Sequence, residues 1–584
     1  MNQINASFSL RGPSRIALVA AGLAAALGAV PATAQSMGYG DPGDADTAAS
    51  SDQGRGGGKQ QARRTTVRPY IELSQGVLAQ LKPVNEVVTY TAVAVGVDVG
   101  LAGRRTEGAV SLRYERRFTY GGNLGGNDTV SGLARVRHDL IPRALTIEAG
   151  GLAARTRFEA SGASRLNALP GGDRISQVYS AYAGPAFTTQ AGDIALAGSY
   201  LVGYTKVNTP GLSAVVPVQP PTQPPGQPLA QPQVDIFNKS VAQSAQLSAG
   251  FRPGTVLPVG LTASAGFNQE NISNLDQRVR DLRGGLQATL PVSESLALIG
   301  DVGWQQVVVS ARDAVRGPGG VPLVGSDGRF VTDKSRPRTI AYETKGLTWD
   351  VGVMWRPSRR TALSAFVGRR FDSWTYNGSF SYVPNARSSL SINVYDGITG
   401  FGSRVGTALR DLPTDFETTR NPFSGDINGC GQGSQSGACV NGALSSLSSA
   451  VFRGRGVAAN YGLNVGNWRA VVGGGYDRRT FIGARGTVLA AANGQVDENY
   501  YVNAGLSGPI DRASSFSVTV YDSWFKSGSS PQADLNSYGI NAGVSHRFTP
   551  RLIGTAAAGL DSINRKVAED QLVATGLVGL RYNF

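Results

Sequence analysis

The sequence is poor in the side chains that most catalytic and metal sites need. Its 584 residues include two histidines, two cysteines and three methionines. His138 and His546 lie far apart in the chain, so a catalytic triad or a histidine metal site would need distant segments to meet. No Walker loop, HExxH helix or GxSxG elbow is present. The sequence therefore predicts no enzyme, no catalytic residue, no metal site and no cofactor.

Long apolar runs are almost as scarce. The one clear run, residues 16–30, follows two arginines and precedes an Ala-Thr-Ala pattern that ends at Ala34. This order is typical of a secretory signal peptide, and the run is too short to span a bilayer comfortably. We predict that residues 1–34 are a signal peptide, cleaved between Ala34 and Gln35. Since no later stretch could form a membrane helix, the exported chain is periplasmic, secreted or an outer-membrane barrel.

Acidic side chains are outnumbered, with 41 against 55 basic ones and a formal charge of +14. A basic chain raises the question of a nucleic-acid partner. The arginines and lysines are scattered, however, and no helix-turn-helix, RNP-type or zinc-finger pattern accompanies them. The sequence therefore predicts no nucleic-acid partner. We expect the basic residues to line a lumen and the rims of a barrel.

Residues 35–65 are polar, glycine-rich and of low complexity. This composition predicts a disordered periplasmic lead-in. The segment is too short for a folded plug, and we therefore expect a barrel without a plug domain. It is also the candidate docking segment for a periplasmic partner.

From residue 66 onward the pattern has a period of two. Residues 109–120 read AVSLRYERRFTY, in which apolar and polar side chains alternate. The segments 347–356, 457–465 and 538–548 repeat this alternation. Such a period is typical of β-strands with one apolar face.

The links between these strands alternate between tight turns and longer polar segments. Short periplasmic turns and long outer loops are typical of an up-and-down transmembrane barrel. We predict that residues 66–584 form an all-β, antiparallel barrel of about 22 strands, within a range of 18–22. Long external loops are expected near 209–235, 312–338 and 397–452.

The final segment, 571–584, ends in an alternating strand that places Tyr582 and Phe584 on one face. It resembles the C-terminal assembly signal of outer-membrane barrels. A barrel loses its free edge only when its last strand pairs with its first. The expected partners are the barrel-assembly machinery, outer-membrane lipid and lipopolysaccharide.

Charged residues on the polar faces of these strands are the candidate lumen site. Rings of opposite charge inside a barrel set its ion preference, and an excess of arginine would favour anionic solutes, including acidic sugars. The alternative is structural, because arginines and carboxylates on neighbouring strands also pair and brace the wall. Both readings remain open for Arg113, Glu115, Arg117, Arg135, Arg137, Asp139, Asp281, Arg283 and Arg547.

The two cysteines, Cys430 and Cys439, lie in the longest predicted loop, within GCGQGSQSGAC. A close pair in an exported chain predicts a disulfide. The alternative, a metal or redox pair, lacks further histidine or cysteine nearby.

Several segments resemble known proteins. YIELSQGVLAQL at 70–81, RRTEGAVSLRYERRF at 104–118 and WRPSRRTALSAFVGRR at 355–370 are similar to sphingomonad and related alphaproteobacterial outer-membrane barrels of the β-barrel-porin-2 kind. The resemblance implies the fold and the location, and it brings no catalytic residues. Similar sequences sometimes carry the name of a preprotein translocase subunit, but such a subunit is short with one membrane helix, unlike this strand-rich chain.

Three functions follow from these observations. The favoured one is a porin-like channel for small, anionic solutes. The alternatives are a barrel associated with the export or assembly of exopolysaccharide, and a structural or adhesive surface barrel that uses its loops.

Overall fold

The computed structural model describes residues 65–83, 85–120, 128–158, 164–165, 175–209, 235–385, 387–433, 437–528, 533–566 and 569–584. The signal peptide, the cleavage site, nearly all of the lead-in and most of the 209–235 loop lie outside these residues. No helix in the described part of the chain has the length and apolar character to cross a membrane.

The first half of the barrel wall is built from long antiparallel strands. These are β1 (Thr66–Lys82), β2 (Glu86–Ala102), β3 (Thr106–Tyr120), β4 (Asp128–Ile141), β5 (Leu145–Phe158), β7 (Ile175–Ala191), β8 (Ile194–Asn208), β9 (Lys239–Phe251), β10 (Gly260–Ile272), β11 (Gln277–Ser293) and β12 (Leu296–Ala311). A two-residue strand, β6 (Ser164–Arg165), pairs with the last two residues of β5, Arg157 and Phe158.

The second half continues the same sheet. Its strands are β13 (Thr339–Ser358), β14 (Thr361–Arg370), β15 (Ser373–Asn385), β16 (Ser388–Thr399), β20 (Val451–Val465), β21 (Trp468–Ile482), β22 (Val496–Pro509), β23 (Ser514–Lys526), β24 (Leu535–Arg547), β25 (Leu552–Arg565) and β26 (Gln571–Asn583).

The wall closes on itself through its first and last strands. β1 pairs with β26 in antiparallel register, with Ile71 opposite Tyr582, while its other edge pairs with β2. The described residues thus form a closed ring of 22 wall strands, in agreement with the number expected from the sequence. Closure satisfies the backbone of every strand, which a β-structure in lipid requires.

The two ends of the barrel differ in their connections. The turn end carries the start of β1, the end of β26 and links of at most eight residues, such as that between Phe251 and Gly260. The loop end carries the long links, including residues 312–338 and 400–450. Short turns on the side where β1 starts and β26 ends indicate that the turn end faces the periplasm.

The two faces of the wall differ as the period of two predicts. On β3 the apolar Tyr114 and Phe118 are exposed, whereas Arg113, Glu115 and Arg117 between them are buried. Exposed aromatic rings cluster near both ends of the wall, as interfacial girdles do. Together with the closed ring, these faces identify an outer-membrane β-barrel. The girdle residues include Trp355, Trp468, Phe548 and Phe584 at the turn end, and Tyr120, Trp374 and Trp524 at the loop end.

Residues 400–450, between β16 and β20, form a folded insert inside the ring. The insert contains one helix, α1 (Phe401–Arg410), and a small antiparallel sheet of β17 (Glu417–Arg420), β18 (Ile427–Gln432) and β19 (Gly437–Cys439). Most of its described side chains are buried, and they form a core with the inner face of the wall.

The insert corrects two expectations. The prediction of a barrel without a plug is wrong, because a folded segment occupies the lumen. Residues 397–452 are also not one external loop, since 397–399 and 451–452 are wall strands and the rest lies inside. Residues 35–65, before the barrel, are too short for a plug, whereas the insert comes from within the barrel sequence.

Candidate functional site

One contact between the insert and the wall is made by a tight turn at residues 421–426. Arg117 of β3 donates to the carbonyl oxygens of Phe423 and Ser424 at 3.2 and 3.1 Å. Arg155 of β5 donates to the Ser424 carbonyl at 2.6 Å and to Asp426 Oδ2 at 2.9 Å. Charge-assisted bonds of this kind are among the stronger hydrogen bonds in proteins. Two wall arginines therefore fix the turn.

The predicted lumen charges on β3 form one network beneath this turn. Glu115 accepts from Arg113 Nη2 and Arg117 Nε, both at 2.7 Å. Arg113 Nη1 also bonds Glu72 of β1 at 2.7 Å. All three β3 residues are buried, so their charges are compensated within the wall. Their arrangement matches the structural alternative, in which paired charges brace the wall, and it also serves the insert.

Helix α1 is held at its N-terminus by a carboxylate of the wall. Glu270, near the end of β10, accepts from the backbone N–H groups of Gly400 and Gly402 at 3.1 and 3.0 Å. A negative charge at this position satisfies free N–H groups and is attracted by the positive end of the helix dipole. Phe401 packs on Phe237, with ring centroids 4.8 Å apart. Helix α1 thus begins where the wall supplies its cap.

A second group of contacts joins α1 to β16 and β21. Arg404 stacks over the ring of Tyr395 at 3.8 Å and lies 3.6 Å from Asp477 Oδ1. The Tyr395 hydroxyl donates to the same carboxylate, and Arg479 pairs with it at 2.7 Å. Asp477 is therefore shared by one arginine of the insert and one of the wall.

Arg479 also holds the last turn of the insert. Its Nη2 donates to the carbonyl oxygen of Gly442 at 2.7 Å, and its Nη1 to that of Ser446 at 3.1 Å. Ser445 Oγ lies 3.0 Å from Nη2. This arginine is buried, and it repeats the use of a wall guanidinium to bind insert carbonyls.

The loop end is packed over the insert. Asp235 accepts from Asn274 Nδ2 at 3.0 Å and from Ser449 Oγ at 2.9 Å. Burial raises the pKa of Asp235. From the 312–338 loop, Arg329 donates to the Ile236 carbonyl at 3.0 Å. That loop folds back on the barrel mouth.

The remaining predicted charges are spread over the wall. Arg135 lies 3.5 Å from Glu148 on β5. Arg137 and Asp139 follow it on β4 toward the turn end. Arg547 is exposed at the turn end, apart from the others.

Two more predicted charges lie on β11, and the cysteines lie in the insert. Asp281 accepts from Gln305 Nε2 at 2.8 Å, and Arg283 lines a small cavity beside it. Cys430 and Cys439 pair on β18 and β19 and form a disulfide inside the insert. In the described part of the chain, no three metal-ligating side chains come together.

Among the described residues, one cavity lies beside the insert and a second lies along the wall. The larger, of about 820 Å³, opens at the turn end between β17 and the wall strands β1–β3, β16, β20, β21 and β26. The smaller, of about 70 Å³, follows the wall from β8 to β14 and is lined by Arg283, Asp301 and Gln305.

The larger cavity is basic. Its lining includes Arg68, Arg387, Arg420, Arg469 and Arg581, against Asp98, Asp415 and Glu417.

Four residues that organise the insert were not among the predicted site residues: Arg155, Glu270, Arg420 and Arg479. Arg155 and Arg479 carry the same signal as Arg113, a basic residue on the polar face of an alternating strand. Glu270 and Arg420 have no such signal, because their role depends on the position of the insert.

No family model matches the chain, and no curated protein matches it. The resemblance to the β-barrel-porin-2 kind thus has no family match behind it. The chain is similar to solved structures of outer-membrane receptors and transporters. The FrpB iron transporter from Neisseria meningitidis (F5-1 variant) is 10% identical, with a TM-score of 0.42, over 88% of this chain and 82% of that one.

Two further solved structures give similar values. The ferric-catecholate import receptor Fiu from E. coli K12, in its open form, is 10% identical with a TM-score of 0.42 and covers 88% of this chain and 81% of that one. The siderophore receptor PirA from Acinetobacter baumannii is 9% identical with a TM-score of 0.37, over 89% and 81%. The TM-scores are too low for these likenesses to carry a conclusion about this chain.

Proposed function

We propose that the protein passes small solutes, anions in preference, across the outer membrane through a lumen that the insert narrows. A barrel of 22 strands encloses a space too wide for wall side chains to fill. Here the insert bridges that space, since it is bonded to β3 and β5 on one side and to β21 on the other. What remains for a solute is the polar space beside the insert.

The observation that carries the proposal is the basic cavity at the turn end. Five arginines against three carboxylates leave an excess of positive charge in a confined, solvent-open space. Such a field raises the local concentration of anions and repels cations. The inner face therefore favours anionic solutes at the periplasmic opening.

Planar-bilayer conductance of the refolded mature protein tests the proposal. We expect small, steady steps and a reversal potential that shows anion preference in a salt gradient. Folded protein that gives no conductance, or a cation preference, would overturn it.

A variant without residues 401–449 provides the matched comparison. The deletion is geometrically mild, because Thr399 and Phe452 at its two sides are already paired between β16 and β20. We expect a severalfold larger step, since the space of the insert becomes open water. Unchanged steps from a variant with intact barrel circular dichroism would show that the insert does not narrow the path.

The hypotheses of polysaccharide export and of a surface adhesin stay predictions, as does a periplasmic partner of residues 35–65. Deletion of residues 35–65 should abolish export and spare passive conductance, which separates these functions.

A further inference from the structure

We infer that the turn-end cavity is a saturable binding site for small solutes with two or more oxyanion groups, carboxylate or phosphate. The inference deepens the proposed function, on which it rests for the solute's passage, by assigning a substrate class and the residues that bind it. The volume of about 820 Å³ lies in the range of small-molecule sites.

The arginines of the cavity fall into two groups. Arg581 is paired with Asp98 at 2.9 Å, and Arg469 with Glu417. Within the described residues, Arg68, Arg387 and Arg420 form no ion pair, although all three line the same space. Three guanidinium groups are therefore available to a ligand, and their planar forks suit bidentate binding of carboxylate or phosphate.

Arg420 is the deepest of the three. It reaches from β17 of the insert and donates to Ser111 Oγ, Ser131 Oγ and the Gly425 carbonyl, each at 2.8 Å. All three acceptors are neutral, and burial lowers the pKa of Arg420. A half-buried cation whose partners are all neutral gains from an anion that replaces its lost hydration.

Arg68 and Arg387 define the outer part of the site. Arg68 lies at the start of β1 and Arg387 just before β16, so the two approach the cavity from separate parts of the wall. Both are exposed. Each of these positions offers a guanidinium group to an acid group of the ligand, in addition to that of Arg420. The arrangement therefore selects for polyanions over chloride or acetate.

Calorimetric titration of the refolded protein in detergent tests the site without any measurement of flux. The titrants are digalacturonate for carboxylates, pyrophosphate for phosphates and maltose as a neutral control. We expect saturable binding of at least one anion, weakened by added salt, and no binding of maltose. The tighter anion identifies the source of the oxyanion. Failure of both anions to bind, or equal binding of maltose, overturns the inference.

Variants place the binding in the cavity. Arg68→Gln and Arg387→Gln change exposed residues outside the insert and leave the insert contacts intact, so each should weaken binding about tenfold. Arg512→Gln removes an exposed arginine from a turn at the same end that does not line the cavity, and it should change little. Equal losses in all three variants would reduce the effect to net charge and overturn the site. Anion binding without conductance would refute the proposed function alone.

Discussion

Arg479 gives the sharpest test of how the insert is held. Substitution of Arg479 by alanine removes the donor to the Gly442 and Ser446 carbonyls and the 2.7 Å partner of Asp477. Loss of one partner from a buried ion pair costs about 3–5 kcal/mol, because the other charge stays buried. Asp477 keeps Arg404 at 3.6 Å, which places the expected cost near the lower limit, about 3 kcal/mol.

This change lowers the free energy of local opening of the insert and leaves that of the barrel wall unchanged. A change of about 3 kcal/mol corresponds to a roughly hundredfold larger open population. Hydrogen–deuterium exchange of the refolded protein should therefore show roughly hundredfold faster exchange for amides in residues 437–450. The amides of β22–β26 should keep their protection, since their bonds lie within the closed wall.

The neighbouring Arg478 supplies the control. It lies on the same strand, but its side chain is exposed on the other face. Arg478→Ala should leave exchange in 437–450 unchanged. Equal protection of these amides in the Arg479→Ala variant, with a folded barrel by heat-modifiable mobility, would refute the view that this arginine anchors the insert.

Three further changes probe the other anchors. Glu270→Gln weakens the cap of helix α1 by about 1–2 kcal/mol, so amides of residues 401–410 should exchange roughly tenfold faster, and protection equal to wild type would contradict the cap. Replacing Cys430 and Cys439 by serine removes a cross-link worth about 2–3 kcal/mol to a loop of this size, so exchange should rise in 427–440 while wall strands stay protected. Burial raises the pKa of Asp235, so the folded protein binds the proton of this carboxyl more tightly than the unfolded chain does. The stability of the loop-end packing therefore falls as the pH rises from the ordinary aspartate pKa, about 3.9, through the raised pKa of the folded protein. Asp235→Asn should flatten the pH dependence of amide exchange in residues 446–451. An unchanged pH dependence would contradict the role of Asp235.

The wall was predictable because its pattern is local. On β3, the alternation of Tyr114 and Phe118 with Glu115 and Arg117 determines both the strand and the face that meets lipid. A slip of one residue would bury every apolar side chain in the lumen, so the sequence leaves little freedom of register. The alternation of tight turns and longer links, which is also local, gives the ring of about 22 strands.

The insert was not predictable for the opposite reason. Helix α1 reads FGSRVGTALR, and its two interior glycines, Gly402 and Gly406, disfavour an isolated helix. Its formation depends on Glu270 at one end and on Phe401 against Phe237, contacts that join residues far apart in sequence. The one sequence feature that indicated local structure in this segment was the predicted disulfide between Cys430 and Cys439.

The attachment of the insert limits how a solute can pass. Both of its ends leave strands that pair with each other, with Thr399 opposite Phe452, so the insert is tethered twice at the loop end. Withdrawal as a separate domain would require these tethers and the bonds from Arg155 and Arg479 to break together. Partial loosening at the turn end costs less, because β17 there borders an open cavity and not the wall core. A solute is therefore expected to move beside a resident insert, and its size is limited by the space that β17 leaves free.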